Sequence, residues 1–391
     1  MRARGAVAFG VALITMLGVG LWLGGHPGEL PSFLRDPFID DSAGLTAEAT
    51  ELIEDNYFRP VGGEELTDSS LEGMVRGLRR HYDDRFSDYF SPESLARFNE
   101  AISGRFTGIG LAVTEVKRGL RADRVFHGSP AERGGIEVGE TIVSVDGRSI
   151  AGVSSEVATA KIKGPVGTEV TVGVLSSDGR VRELRLTRAE VALPIVTSRV
   201  ETVDGRKLGY VRLATFSEGA HGVLRGAVQK VERQGAEGIV LDLRANGGGL
   251  LQEAVLTTSV FLPKDEVVVS TDSRTQGHTV YRTVGDNLPS RPVVVLIDRN
   301  TASAAEILAA ALADDAGAKV VGTRSFGKGV FQQEIGLSNG GALKLTIGEY
   351  FTPDGDNLAG RGIHPDVEAR DVPGTPPDEA LRRALRVLAQ Q

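Results

Sequence analysis

Five short apolar runs rich in β-branched residues constrain this chain more than any other feature. They are Leu208 to Leu213, Gly238 to Leu243, Val267 to Ser270, Val293 to Ile297 and Lys319 to Val321. Helical patterns lie between several of them, at 218–234, 250–261 and 303–315. Strands alternating with helices imply an α/β layer with parallel strand pairs. In such layers catalytic groups tend to sit at the carboxyl ends of the strands, so those ends are where chemistry is sought.

Composition narrows the classes. The 391 residues suggest two or three domains. A chain 41% hydrophobic and 25% charged is not disordered throughout. Its 50 glycines follow no collagen period and mark turns and tight backbone approaches. The net charge of −8 argues against non-specific nucleic-acid binding, which needs a basic surface. Without cysteine, disulfides, thiolate nucleophiles and Cys-ligated metals are excluded.

The amino terminus speaks about location. Arg2 and Arg4 precede an apolar stretch from Gly5 to Leu23, about the length of helix that crosses a bilayer core. The flanking positive charge favours a cytoplasmic N-terminus. No A-x-A cleavage pattern precedes Gly24-Gly25-His26-Pro27, so residues 1–25 read as a signal anchor rather than a cleaved signal peptide. Either way the body is exported and extracytoplasmic, on the periplasmic or cell-surface side.

Residues 26–41, rich in Pro and Gly, read as a linker, and 42–105 as a helical region. There Ala49, Leu52, Ile53 and Tyr57 share one face, and Leu71, Met74, Val75 and Leu78 another. Residues 106–190 change to short strands, with a helix starting at Ser154 and a hairpin turn at Asp178-Gly179. The strand–helix layer occupies 191–370. A proline-rich linker and a short amphipathic helix carrying Ala380, Leu381, Ala384, Leu385 and Leu388 fill 371–391.

Several chemistries are disfavoured. The six histidines are scattered singly and no His-Glu-x-x-His occurs, so no metal site is expected. There is no G-x-S-x-G elbow and no phosphate-binding P-loop, and no cofactor is implied. Asp and Glu are plentiful but no spacing picks out a pair; their plain reading is solvated charge. Two strand ends stand out. After Leu241-Asp242-Leu243-Arg244 come Ala245-Asn246-Gly247-Gly248-Gly249 and a helix. Such glycines let backbone N–H groups face an anion or oxyanion, though a tight turn needs them equally. At the second end, Ser303 stands between a strand and an alanine-rich helix. With Glu306 it forms an S-x-x-E capping box. Alternatively Ser303 is a nucleophile whose helix end offers the Ala304 amide to an oxyanion. A base would have to be lysine, and Lys328, between Gly327 and Gly329, is the candidate. Desolvation by Phe326, Val330 and Phe331 would lower its pKa, and Gln332 could accept from its amine. A solvated loop lysine is the ordinary alternative.

Together these residues resemble the C-terminal processing peptidases, the tail-specific serine proteases, from about residue 45 to the end. Ser129-Pro130-Ala131, Gly139-Glu140-Thr141-Ile142, Val145-Asp146-Gly147 and Lys163-Gly164-Pro165-Val166-Gly167-Thr168 are similar to the PDZ pattern of that family. Thr301-Ala302-Ser303-Ala304-Ala305-Glu306, Gly327-Lys328-Gly329, Thr352-Pro353-Asp354-Gly355 and Gly362-Ile363-His364-Pro365-Asp366 follow in family order.

The resemblance implies an α/β multidomain fold. Its parts are a crotonase/ClpP-like protease core, an inserted PDZ-like domain and an N-terminal helical segment. It implies Ser303 as nucleophile, Lys328 as base, Gln332 as its orienting partner, and Gly248 and Ala304 as oxyanion donors. The PDZ domain would take substrate C-termini by strand addition, with Gly108, Ile109, Gly110 and Leu111 as the carboxylate-binding loop. The plain reading of that loop is a strand entry. Lys163 stands where relatives often carry arginine and would make a regulatory contact; Asn246-Gly247-Gly248-Gly249 stands where they often carry Asn-Pro-Gly-Gly. Expected partners are proteins or peptides with apolar C-termini and, through the first helix, the membrane. Nucleic acid is not among them, and a homo-oligomer is left open. The rivals are a PDZ adaptor with an inactive core and, from broad α/β similarity, a crotonase-like acyl-CoA enzyme.

Overall fold

A computed structural model describes residues 41–371 and 378–391. The expected anchor, the linker up to residue 40 and the stretch 372–377 lie outside the described residues. Among those described, no helix is long and apolar enough to cross a membrane. The chain divides into two units at Ser91/Pro92.

The first unit carries helices α1 (Asp41–Asn56) and α2 (Gly63–Tyr82) and strand β1 (Asp88–Phe90). Pro60 and Gly62 separate the helices, and Asp83 ends α2 in the left-handed conformation at φ 51°. Of the two apolar faces expected here, Val75 is buried, whereas Leu52, Ile53, Tyr57 and Met74 are exposed.

The second unit opens with α3 (Pro92–Ser103) and β2 (Arg105–Gly108). A PDZ-like sheet follows from β3 (Leu111–Val116), β4 (Gly119–Val125), α4 (Pro130–Arg133), β5 (Thr141–Val145), β6 (Arg148–Ser149), α5 (Ser155–Ile162), β7 (Glu169–Leu175) and β8 (Val181–Thr187). The order β3-β4-β5-β7-β8 is antiparallel throughout. Ser154 caps α5 as expected, and the Asp178-Gly179 turn joins β7 to β8. The core holds Leu120, Ile142, Ile150 and Val172, all at most 1% exposed. Strand β9 (Ala189–Ala192) returns beside β2 as a two-stranded ribbon with Phe106 opposite Val191.

The ribbon leads into β10 (Val196–Val203), β11 (Arg206–Leu213), α6 (Ala220–Arg233), β12 (Ile239–Asp242), α7 (Leu251–Thr258), β13 (Val267–Ser273), β14 (Gly277–Arg282), β15 (Val293–Ile297), α8 (Ala304–Ala316), β16 (Lys319–Gly322), β17 (Val330–Gly336), β18 (Ala342–Phe351), β19 (Val367–Glu368) and α9 (Glu379–Ala389). The main sheet runs β10-β11-β12-β15-β16-β19 and is parallel from β11 onward. The central strands β12 and β15 are buried along their whole length because both faces of the sheet are covered there. On β15, Val293, Val295 and Ile297 join the cluster under α6, α7 and α8, while Val294 and Leu296 join the one under α9. Helix α9 docks through Ala380, Leu381, Ala384, Leu385 and Leu388, the face expected from its pattern.

One strand departs from the expected layer. Val267 to Ser270 lies in β13, which pairs antiparallel with β14 and β18 outside the parallel sheet. A hairpin to β14 fills its edge locally, so the next parallel neighbour of β12 is β15. β17 joins the same second sheet through β18.

Candidate active site

The strand ends singled out by sequence converge. Ser303 follows β15 and opens α8, whose residues 304–312 are all buried. Its backbone has φ 57° and ψ −122°. A side-chain-bearing residue held there costs on the order of 1–3 kcal/mol, met by the packing of α8. Lys328 follows β16, and its ammonium donates to Gln332 Oε1 at 2.6 Å. Gln332 in turn donates from Nε2 to Thr346 Oγ1 at 3.3 Å across the β17–β18 pair. Burial, first, and the charge of Lys344, second, push the Lys328 pKa down to about 8, while Glu306 pulls it up. About a tenth of such an amine is neutral at pH 7.

Glu306 joins the two loops. It is wholly buried, against the expectation of solvated charge. Its Oε2 accepts the Ser303 N–H at 2.9 Å and the Lys328 N–H at 3.0 Å. The two backbone nitrogens are therefore no more than about 6 Å apart. Its Oε1 accepts from Ser325 Oγ at 2.5 Å and Gly327 N at 2.7 Å. Four donors on one carboxylate offset the desolvation of a buried charge. Sequence offered the S-x-x-E spacing, and the Ser303 N–H bond is one half of that box. Nothing in the spacing signalled the second loop. The Ser303 hydroxyl and the Lys328 amine are not hydrogen-bonded to each other among the described residues.

Gly248 packs directly on the turn that carries Ser303. A Cβ there would come within 2.8–2.9 Å of Ala302 O, Ala304 N and Ser303 Cβ, and its φ is 98°. Only glycine fits this approach. Its N–H, however, donates to Asn246 Oδ1 at 2.9 Å. The donor expected to face an oxyanion is thus already engaged. The Gly248 carbonyl accepts from Phe216 N at 3.0 Å and Thr215 Oγ1 at 3.1 Å. From there a line of main-chain bonds runs back to the ribbon: Ala214 N to Ile195 O and Leu193 N to Gly104 O, each 2.8 Å.

Two further carboxylates correct the solvated reading. Asp242, 1% exposed, accepts from Tyr210 Oη at 2.8 Å and from Arg244. Arg244 also grips Asp371 and Asp378 at 2.7 Å each, pinning the start of α9. Glu253 accepts the N–H groups of Gly219 and His221 at the start of α6.

In the PDZ-like domain, Gly108, Ile109 and Leu111 line an apolar cavity of about 220 Å³ with Phe126, Ile162 and Lys163. Gly110, at φ 85°, turns the chain against Ser129. Lys163 pairs with Glu100 Oε2 of α3 at 2.7 Å, and Thr107 N donates to the other Glu100 oxygen at 3.1 Å.

Comparison with known proteins agrees with this architecture. Residues 207–369 match Peptidase family S41 and residues 97–175 match the PDZ domain. The carboxy-terminal processing protease CtpA of Bacillus subtilis is 32% identical over 322 residues, spanning 82% of this chain and 68% of that protein. The chain belongs to peptidase family S41, the C-terminal processing serine proteases. A carboxyl-terminal-processing protease of Synechocystis sp. is 34% identical over 321 residues, 81% of this chain and 74% of that one. Among solved structures, a photosystem II D1 C-terminal processing protease superposes with a TM-score of 0.51 at 30% identity, over 90% of this chain and 98% of the other. As in the fold expected from sequence, this S41 chain joins a protease core to a PDZ domain.

Proposed function

We propose that this S41 protease cleaves exported proteins near their C-termini with a Ser303–Lys328 dyad. The observation that carries the reading is the Glu306 carboxylate holding the backbones of both residues on one oxygen. Neutral Lys328 takes the Ser303 proton as the oxygen attacks a peptide carbonyl. Gln332 holds the amine's direction. The Ala304 amide and the Gly248 amide, once released from Asn246, stabilise the oxyanion; each such donor contributes about 2.7–4 kcal/mol. Lys328 then protonates the leaving amine, and water, deprotonated by the same amine, frees the acyl group. The PDZ cavity receives an apolar C-terminal side chain, with the Gly108–Leu111 amides toward its carboxylate. Gly5 to Leu23 tethers the enzyme with its body outside the cytoplasm.

Ser303→Ala should abolish hydrolysis of an unfolded protein, and kcat/KM of the native chain should rise with pH through about 8, where Lys328 deprotonates. Unchanged proteolysis in Ser303→Ala would end this account. The engaged Gly248 amide favours one second reading, an inert adaptor. Labelling of Ser303 by an active-site-directed fluorophosphonate excludes that reading; absence of label at every pH from 7 to 10 supports it.

A further inference from the structure

The carboxyl end of the parallel sheet carries a repeated feature that the protease chemistry does not use. Four neighbouring strands, β12, β15, β16 and β19, end at Asp242, Ile297, Gly322 and Glu368. Two residues beyond each end stands an arginine: Arg244, Arg299, Arg324 and Arg370. Ile297, Gly322 and Glu368 share one register line, so the last three arginines leave the sheet at the same level. Neighbouring strands are about 4.8 Å apart, which spreads them over roughly 10 Å. All four line one cleft of about 600 Å³.

Their surroundings differ. Arg244 is spent on Asp242, Asp371 and Asp378. Arg299, Arg324 and Arg370 are exposed, and none is hydrogen-bonded or ion-paired through its side chain to another described residue. Two aspartates share the cleft. Asp371 is taken by Arg244. Asp298 accepts the backbone N–H groups of Ala245 and Asn300. Three cations on adjacent strand ends repel one another, in a chain whose net charge is −8. A ligand with several negative charges would relieve that repulsion. Guanidinium forks match phosphate oxygens bidentately, and the cleft has the size of a small-ligand site.

We propose that Arg299, Arg324 and Arg370 form a binding site for a multiply charged phosphate compound, in a cleft whose lining includes neither Ser303 nor Lys328. The same chemistry is offered by a soluble oligophosphate and by the headgroups of an anionic lipid surface.

The test uses the full chain carrying Ser303→Ala, so that its outcome does not depend on proteolysis. Tripolyphosphate is titrated by calorimetry and by thermal unfolding, and vesicles of phosphatidylglycerol are compared with vesicles of phosphatidylcholine by co-sedimentation. Binding of tripolyphosphate should raise the melting temperature by about 2–4 °C. Arg299→Ser/Arg324→Ser/Arg370→Ser should weaken it at least tenfold. A control with the same charge loss on the PDZ-like domain, Arg118→Ser/Arg148→Ser/Arg185→Ser, should leave it intact. Where the triple variant unfolds more readily without ligand, Arg324→Glu alone carries the test. Tripolyphosphate binding supports a soluble ligand, and binding to the anionic vesicles alone supports a membrane headgroup. Binding to neither, or equal loss in both triple variants, overturns the site.

Discussion

Glu306 shows how one residue sets both geometry and protonation. Its carboxylate fixes the backbones of Ser303 and Lys328, and its charge raises the Lys328 pKa. Glu306→Gln keeps the shape but turns an NH₂ group toward N–H donors. We expect kcat to fall at least 100-fold, since small misplacements of catalytic groups cost about that much. The residual activity should peak at lower pH, because removing the negative charge lowers the Lys328 pKa below about 8. Lys344→Met acts with the opposite sign. It removes a cation that depresses the lysine, so the alkaline rise should move to higher pH with the fold unchanged. A pH–rate profile of each variant checks both. Local sequence offered Ser303, Lys328 and Gln332 only beside the plainer readings of a helix cap and a solvated loop lysine; the resemblance to the processing peptidases is what singled them out. Local sequence showed Glu306 only as a cap partner, because an S-x-x-E spacing looks the same whether its carboxylate caps one helix or ties two loops, and it carried no signal for Thr346 or Lys344.

At the scale of elements, periodicity was a sound guide where one face of a segment is buried. Helix α9 and the β7–β8 hairpin lie where their patterns predict. It was a weaker guide where burial is all-round or partner strands are distant. β13 reads like a strand of the parallel layer, yet its pairing with β18 spans some 80 residues and has no local signal. Helix α8 carries a further consequence at its C-terminal end. Burial, together with Asp354, Asp315 and Asp356, raises the Asp314 pKa to about 6. A carboxyl raised in the folded state destabilises it as pH climbs through that value. Asp314→Asn should therefore raise the melting temperature at pH 8 and leave it nearly unchanged at pH 4. The gain is on the order of 1 kcal/mol or less, since Asp314 is partly exposed to solvent. Thermal unfolding at the two pH values decides.

Within the second unit Arg244 links the end of β12 to residues more than a hundred positions away. Arg244→Ala would leave Asp242 buried with only the Tyr210 hydroxyl and the Arg244 backbone N–H as its donors. Stranding a buried charge costs about 3–5 kcal/mol. Amide hydrogen exchange in α9 should rise well before that in β15, whose other face is packed independently under α8. Equal protection of both in the variant would contradict this. Sequence suggests domain junctions where composition and texture change, but contacts between distant segments, such as that of Arg244 with Asp378, leave no local trace.

The line of amide-to-carbonyl bonds from Gly104 through Leu193, Ile195, Ala214 and Phe216 to Gly248 behaves as a drawstring. Any tilt of the β2–β9 ribbon must stretch it or drag the glycine loop along. A substrate tail that seated in the PDZ-like cavity and tilted the ribbon would then act on the Gly248 carbonyl, one peptide unit away from the N–H that donates to Asn246. Deuterium uptake at Phe216 should change when a peptide ending in an apolar residue is added, and not when its amidated twin is.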